Sequence, residues 1–165
     1  MTKGGRRDDG ARALAILLAN DMMRRIARSG RHRVRANRPL VVEPPDPLAG
    51  KKLRFLEVVD YASDRMVTAC IDLDEGCVAL FRCATADTLL GPAEEDDAIG
   101  VALADRRVAA GISLGDCPQS IIRVDAHPHR SAEITFGTPR RAPSLVAVVD
   151  LARMAVTRII PAAPR

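Results

Sequence analysis

Apolar and polar residues alternate over residues 66–83 in a pattern that predicts a β-hairpin. Two runs of apolar and β-branched residues flank the short turn Asp74-Glu75-Gly76, whose glycine can adopt the left-handed conformation of a bulged loop. Because side chains alternate between the two faces of a strand, three residues of each run share one apolar face. The expected pairs are Ile71 with Ala79, Ala69 with Phe81, and Val67 with Cys83. Such a face requires a helix or a second layer to cover it.

A second copy of this pattern lies near the C-terminus. The segment ACIDLDEGCVALF (69–81) aligns with AVVDLARMAVTRI (147–159), so that Asp72 corresponds to Asp150 and the two turns have the same length. Upstream, LEVVDYASDR aligns with AEITFGTPRR, and LLAND aligns with ALADR. The sequence therefore predicts two units that each consist of a helix and an antiparallel meander, with one additional strand over 120–127 in the second unit.

Helical periodicity precedes each meander. The first predicted helix begins near Asp8 and ends at Gly30, with acidic residues at the positive end of its dipole and arginines at the negative end. The second begins at Pro92, which suits a first helical position, and ends at Gly111 or Gly115. The expected buried side chains are Leu14, Leu17, Leu18, Met22 and Ile26 in the first helix and Ile99, Ala102, Leu103 and Val108 in the second.

These elements predict an α+β fold built from two units, 8–83 and 84–160. Residues 1–7 and 161–165 are expected to be disordered because of their composition and their place at the ends of the chain. Within the first unit, residues 30–52 contain four prolines and several arginines. We therefore expect this segment to be a linker or an extended arm.

Composition is that of an ordinary soluble globular protein, with 47% apolar and 28% charged residues. Aromatic residues make up only 2%, so a large aromatic-lined ligand cavity would be hard to form. No apolar run approaches the ~18 residues that cross a bilayer, and we expect neither a membrane anchor nor a signal peptide. The four cysteines lack the paired spacing of a zinc site, and we expect free thiols in a cytoplasmic protein.

The duplicated pattern resembles the tandem N-terminal domains that precede the catalytic domain of copper amine oxidases. The matching segments are the hairpins IDLDEGCV (71–78) and VVDLARMAV (148–156) and the acidic helix start EEDDAIGVAL (94–103). The resemblance implies two α+β units of cystatin-like shape and a packing or dimer-supporting role. In that family the copper, the quinone cofactor and the oxidase chemistry belong to the large domain that follows, and this chain ends where that domain would begin. The resemblance therefore implies no catalytic residue and no cofactor in this chain.

The segment VDAHPHRS contains the residues with the most evident chemistry. Asp125, His127 and His129 are spaced by two, so on an extended strand they point to one side. They could converge on a metal, or Asp125 could orient His127 as a general base. A solvated turn explains the same residues, because the strand ends there at a proline. Tyr61, the single tyrosine, could donate a hydrogen bond to such a site or cover the edge of the sheet.

The net charge of +4 is concentrated in one segment, because seven arginines lie within residues 24–38. Guanidinium groups at this density could bind phosphates. However, the segment lacks aromatic residues for stacking on bases, and no helix-turn-helix or zinc-finger pattern adjoins it, which argues against nucleic acid. A helix C-terminus followed by a solvated linker explains the arginines, and a partner with an acidic surface is the next alternative.

Two functional hypotheses follow from these observations. The first is a non-catalytic accessory module that forms a homodimer or packs on a partner protein through its sheet, because both faces of the hairpin 145–160 are apolar. One face is expected to hold Leu145, Ala147, Val149 and Leu151, and the other Val146, Val148, Val156 and Ile160. The second hypothesis is a small enzyme of specialised metabolism that uses Asp125, His127 and His129 for acid–base chemistry, with Tyr61 as a helper, in a cystatin-like fold.

Overall fold

A computed structural model describes residues 4–27, 31–86, 89–124 and 129–161 of the chain. The chain divides into two compact units, Met1–Ala86 and Asp87–Arg165. Each unit combines helices with a four-stranded antiparallel sheet. The predicted α+β fold with duplicated units is therefore confirmed.

The two units have the same order of elements. The first unit contains α1 (Gly4–Ala19), α2 (Asp21–Ile26), β1 (His32–Leu40), β2 (Leu53–Asp60), β3 (Arg65–Asp72) and β4 (Cys77–Thr85). The second contains α3 (Pro92–Ala104), α4 (Arg106–Gly111), β5 (Cys117–Val124), β6 (Ser131–Gly137), β7 (Leu145–Asp150) and β8 (Ala155–Pro161). Each strand pairs with its neighbour in the chain, so the sheet orders are β1-β2-β3-β4 and β5-β6-β7-β8.

The segment 30–52 differs from its prediction as a linker or arm. Residues 32–40 form β1, which pairs antiparallel with β2 from His32 opposite Asp60 to Leu40 opposite Leu53. Pro39 is compatible with this role because β1 is an edge strand, where a missing N–H need not interrupt a ladder. The first unit therefore has a counterpart of the strand that was predicted as an addition to the second.

Each of the two predicted helices is interrupted by a new N-cap. The backbone at Asn20 is extended, and its side chain accepts a hydrogen bond of 2.9 Å from the amide of Met22. Asp105 has the same role before α4, where its carboxylate accepts a hydrogen bond of 2.8 Å from the amide of Arg107. Asn and Asp favour this position because a short side chain can satisfy an amide of the first turn. Both caps occupy the same place in the aligned segments LLAND and ALADR.

The helices cover one face of each sheet, and the two cores use corresponding helical positions. The core of the first unit contains Ala13, Leu17, Met23, Leu56, Val58, Val67, Ala69, Ile71 and Leu73. That of the second contains Ala98, Ala102, Val108, Ala132, Ile134, Phe136, Leu145, Ala147, Val149, Leu151 and Val156. The predicted burial of Leu17, Ala102 and Val108 is confirmed, whereas Met22 and Leu103 are exposed. The interruption of both helices changes which side chains face the sheet.

A β-bulge modifies the predicted pairing in each hairpin. Ala69 pairs with Phe81 and Val67 with Cys83 as expected, but Ile71 pairs with Val78, because the register shifts between Cys70 and Ile71. The same shift occurs in the second hairpin, where Val149 pairs with Val156. Val156 therefore lies in the core under the helices and not on the opposite face of the hairpin, where it was expected.

The strand before each hairpin also corrects the alignment of the repeats. Leu56 pairs with Ala69 in the first sheet, and Ile134 pairs with Ala147 in the second. Because Ala69 and Ala147 correspond, Leu56 corresponds to Ile134 and not to Ala132. The shift is even, so it preserves which side chains face the helices.

Candidate functional site

The predicted site residues are distributed over both units. Asp125 and His127 lie outside the described residues. His129 precedes β6 in the second unit, and Tyr61 follows β2 in the first. The structure brings His129 together with Asp150, the residue that corresponds to Asp72 in the aligned hairpins.

His129 and Asp150 are joined at the hairpin turn of the second unit. Nδ1 of His129 lies 2.8 Å from Oδ2 of Asp150, which is buried. The other carboxylate oxygen accepts hydrogen bonds of 2.8 and 3.0 Å from the amides of Ala152 and Arg153. Burial alone would raise the pKa of Asp150, but the hydrogen bonds from His129 and the turn amides hold this pKa below its ordinary value.

Asp72 has the corresponding arrangement in the first unit. Its Oδ1 accepts hydrogen bonds of 3.0 Å from the amides of Asp74 and Glu75, and its Oδ2 accepts one of 2.7 Å from Nζ of Lys51. The hydrogen bond from Lys51, followed by those from the turn amides, lowers the pKa of Asp72. Lys51 precedes Asp72 by 21 residues, and His129 precedes Asp150 by the same interval. We call these two arrangements the turn clamps.

The two turn clamps occupy corresponding positions in the two units. Both clamps join a residue two positions before a sheet strand to the carboxylate that orders the hairpin turn. Leu73 and Leu151, which follow the two carboxylates, donate backbone hydrogen bonds of 2.9 and 3.0 Å to the carbonyls of Lys52 and Arg130. An imidazole held by a buried carboxylate can exchange a proton through its other nitrogen. Lysine occupies the same place in the first unit and holds the corresponding carboxylate there.

A second pair of charged contacts connects α1 and α3 to the sheets of their units. In the second unit, Nε of Arg130 lies 2.6 Å from Oε1 of Glu94, and both side chains are buried. Glu94 Oε2 also accepts a hydrogen bond of 2.7 Å from the amide of Gly91. In the first unit, Nζ of Lys52 lies 2.8 Å from Oδ1 of Asp9 in a more exposed pair. We call these two contacts the helix clamps.

The sequence contained a signal for the helix clamps. The alignment of LLAND with ALADR, continued toward the helix start, sets Asp9 against Glu94. The alignment of the hairpins sets Lys52 against Arg130. The acidic residues were interpreted only as partners of the helix dipole, because the distance to the basic residue along the chain hid the pairing.

Tyr61 is buried at the end of β2, beside the turn that leads to β3. Its amide donates a hydrogen bond of 3.2 Å to the carbonyl of Arg31, whose guanidinium lies 5.3 Å from the centre of the ring. The neighbouring carboxylate of Asp60 accepts hydrogen bonds of 2.9 and 2.6 Å from the amide and hydroxyl of Ser63. These contacts order the turn between β2 and β3 and join it to the start of β1.

The arginine-rich segment 24–38 is divided between two elements. Arg24 and Arg25 end α2, and the arginines from residue 33 to residue 38 belong to β1. Arg38 lies over the ring of Phe55, 4.9 Å from its centre, on a neighbouring strand. Among the described residues, these arginines therefore lie on a helix end and an edge strand, whereas Arg28 lies outside the described residues.

Two open grooves lie on the second unit. One, of about 390 Å³, contains Asp105 and Arg107, which form an ion pair of 2.7 Å. The hydrogen bond from Arg107 lowers the pKa of Asp105 to about 2. The other, of about 310 Å³, lies beside Glu95 and Gln119. The arginine in the first groove also donates a hydrogen bond to the carbonyl of Val156, so its guanidinium is engaged in the fold.

Three kinds of feature were sought in the described ranges: clusters of metal ligands, disulfides, and helices that could cross a membrane. Within them, no group of three or more His, Cys, Asp or Glu side chains could hold a metal ion. All four cysteines are free thiols, and burial raises the pKa of Cys70. Among the described residues, no helix has the length and apolar character needed to cross a membrane.

The fold is that of a duplicated α+β protein in which the turn clamps and the helix clamps recur in both units. No family model matches the chain, and no curated protein matches it. Among solved structures, the chain is similar to a copper-containing benzylamine oxidase from Hansenula polymorpha, with 7% sequence identity and a TM-score of 0.41. The match covers 67% of this chain and 20% of the oxidase chain. At these values the likeness concerns backbone shape and adds no argument about function.

Proposed function

We propose that the chain is a non-catalytic interaction module that self-associates, or packs on a partner protein, through its sheets. The observation that carries this proposal is that large apolar side chains remain exposed on edge strands. Leu80 on β4 is 51% exposed, and Ile122 on β5 is 55% exposed. Their neighbours Phe81 and Ile121 pack against the two cores, so Leu80 and Ile122 lie on the sheet faces turned away from the helices.

The clamps support a structural use of the charged residues. The turn clamps and the helix clamps occur as corresponding pairs in the two units, where they join hairpin turns and helices to the sheets. A catalytic constellation would be expected in one unit with a different arrangement in the other. The contact between His129 and Asp150 therefore has a structural counterpart, Lys51 with Asp72, in the first unit.

The alternative of a small enzyme with an Asp/His pair draws on one observation, the 2.8 Å contact between His129 and Asp150. His129→Lys separates the two functions, because it installs the side chain that holds the corresponding carboxylate in the first unit and removes the imidazole. An interaction module keeps its stability and its association state in this variant. Loss of the biological phenotype in a stably folded His129→Lys variant would favour the enzyme.

Association is measured directly by sedimentation velocity from low micromolar to high micromolar concentration. We expect a species larger than the monomer that dissociates on dilution. For association with a different protein, a stable complex with that partner would replace the self-associated species. A monomer throughout the concentration range contradicts self-association.

A further inference from the structure

Four edge strands bound the two sheets, and three of them carry residues that discourage further pairing. Natural proteins protect such edges with charged side chains, prolines and bulges. β1 contains three arginines and Pro39, β5 contains Pro118 and Arg123, and β8 contains Arg158 and Pro161. Each of these strands is also involved in a register shift. Their outer edges are therefore poor templates for another strand.

β4 lacks the proline that each of the other three edge strands contains. Its nine residues contain no proline and a single charge, Arg82. Its register shift lies near the beginning of the strand, and pairing with β3 is regular from Leu80 opposite Cys70 to Thr85 opposite Arg65. A regular, mostly apolar and exposed edge presents backbone donors and acceptors to an incoming strand.

The second unit provides an internal comparison for the exposed leucine. Leu80 pairs with Cys70, two residues before Asp72, and Arg158 pairs with Val148, two residues before Asp150. Leu80 and Arg158 are therefore corresponding residues of two corresponding edge strands. The second unit has a charge where the first has an exposed apolar side chain. The fold itself accepts arginine at this place, so the leucine is not required by the architecture.

We propose that β4 pairs antiparallel with β4 of a second copy of this chain, joining two four-stranded sheets into one continuous sheet. This inference rests on the proposed function and names its surface and its partner. An antiparallel pair of identical strands about a two-fold axis is self-complementary, because every contact occurs twice. Arg82 is the only charged residue of β4, which favours a second copy of β4 as the partner strand. Like charges would lie directly opposite each other only in the one register that pairs Arg82 with Arg82 of the second copy.

The continuous sheet would pair the outer edge of β4 and bury the exposed side chain of Leu80. Its outer backbone groups would enter a ladder, and Leu80 would pack against the side chains of the second copy on the face away from the helices. Lateral continuation of a sheet needs no change in either core. The expected complex is a dimer with closed symmetry, because each copy offers one such edge and the other edges are protected.

Leu80→Arg is the decisive substitution, because it gives β4 the residue that β8 already has. Ile122→Arg is the matched control, since it replaces an equally exposed apolar residue on an edge that contains Pro118. Sedimentation velocity is measured for both variants and the unsubstituted protein, with far-ultraviolet circular dichroism as the check on folding. We expect Leu80→Arg to weaken dimerisation by at least about tenfold in Kd, which corresponds to ~1.4 kcal/mol, and Ile122→Arg to leave it unchanged.

Hydrogen–deuterium exchange of the unsubstituted protein tests the same contact without a substitution. Amides of residues 80–85 should gain protection as concentration rises, whereas those of β8 should not. A dimer that persists in Leu80→Arg, without concentration-dependent protection in β4, overturns the β4 contact and leaves self-association through another surface. A monomer at all concentrations overturns both self-association and this inference.

Discussion

Replacing Glu94 by glutamine tests whether the buried helix clamp is a main source of stability in the second unit. The side chains of Arg130 and Glu94 are 0% and 2% exposed, and the guanidinium also donates a hydrogen bond of 2.8 Å to the carbonyl of Leu89. Glu94→Gln keeps the size of the side chain and an acceptor for the amide of Gly91. It removes the negative charge of Glu94 from beside the buried guanidinium.

The expected cost follows from that burial. Breaking a buried ion pair by removing one partner destabilises a protein by about 3–5 kcal/mol. A unit of this size has a free energy of unfolding of roughly 4–12 kcal/mol. Glu94→Gln should therefore remove a large part of the stability of the second unit. The corresponding Asp9→Asn variant should cost at most about 1 kcal/mol, because Lys52 and Asp9 are 57% and 22% exposed.

Urea unfolding followed by far-ultraviolet circular dichroism measures both variants. The fluorescence of Tyr61, in a chain without tryptophan, reports on the first unit and shows which part of the transition belongs to it. Added salt should reduce the small effect of Asp9→Asn more than the large effect of Glu94→Gln, because exposed pairs are screened. The reasoning is refuted if the two substitutions cost the same, or if Glu94→Gln costs less than about 1 kcal/mol.

Three further predictions concern the turns and the core. Gly76→Ala should cost about 1 kcal/mol in urea unfolding because φ is 67° there, whereas Met154→Ala should be nearly neutral because the residue at φ 53° already has a side chain. The pKa of Asp150 is lower in the folded than in the unfolded chain, so its ionised carboxylate stabilises the fold above the unfolded value of about 3.9, and this stability is lost as the pH falls through the folded value. His129→Ala should therefore move acid unfolding to higher pH, and an unchanged acid transition would contradict this. Leu17→Ala should cost about 2–5 kcal/mol in thermal or urea unfolding because this side chain is fully buried, and a loss below 1 kcal/mol would indicate that the α1 packing is wrong.

The hairpins and their duplication could be predicted because their signals are local. Alternating apolar residues around a short turn define a hairpin within about 18 residues, and the repeated Asp-Leu pair marks the same turn in both halves. The role of Asp72 and Asp150 in accepting turn amides also depends on residues two and three positions away. Such contacts are set by the geometry of the backbone itself.

The first strand could not be predicted because its composition is that of a linker. Arginines and Pro39 are unfavourable in the interior of a sheet, and only the pairing with residues 53–60 makes 32–40 a strand. The bulge in each hairpin also could not be predicted from the local pattern of apolar residues. Strict alternation predicted Ala79 opposite Ile71, whereas packing under the helices selects Val78.

The candidate site also depends on residues that are distant in the chain. The spacing of Asp125, His127 and His129 favoured a local cluster, but the carboxylate that binds His129 is Asp150, 21 residues further along the chain. Its identity follows from the position of the strand end beside the hairpin turn. The contrast between Leu80 and Arg158 was likewise present in the sequence, but it had no meaning until β4 and β8 were known to be the outer edges of their sheets.

The hairpin turns, most of the secondary-structure periods and the duplication of an α+β unit could be predicted, because each depends on residues close together in the chain. The folded chain was needed to identify which carboxylate meets which cation, which strands are edges, and which apolar side chains remain exposed. These properties depend on pairing and burial between distant segments. Their energies come from neighbours that no local pattern identifies.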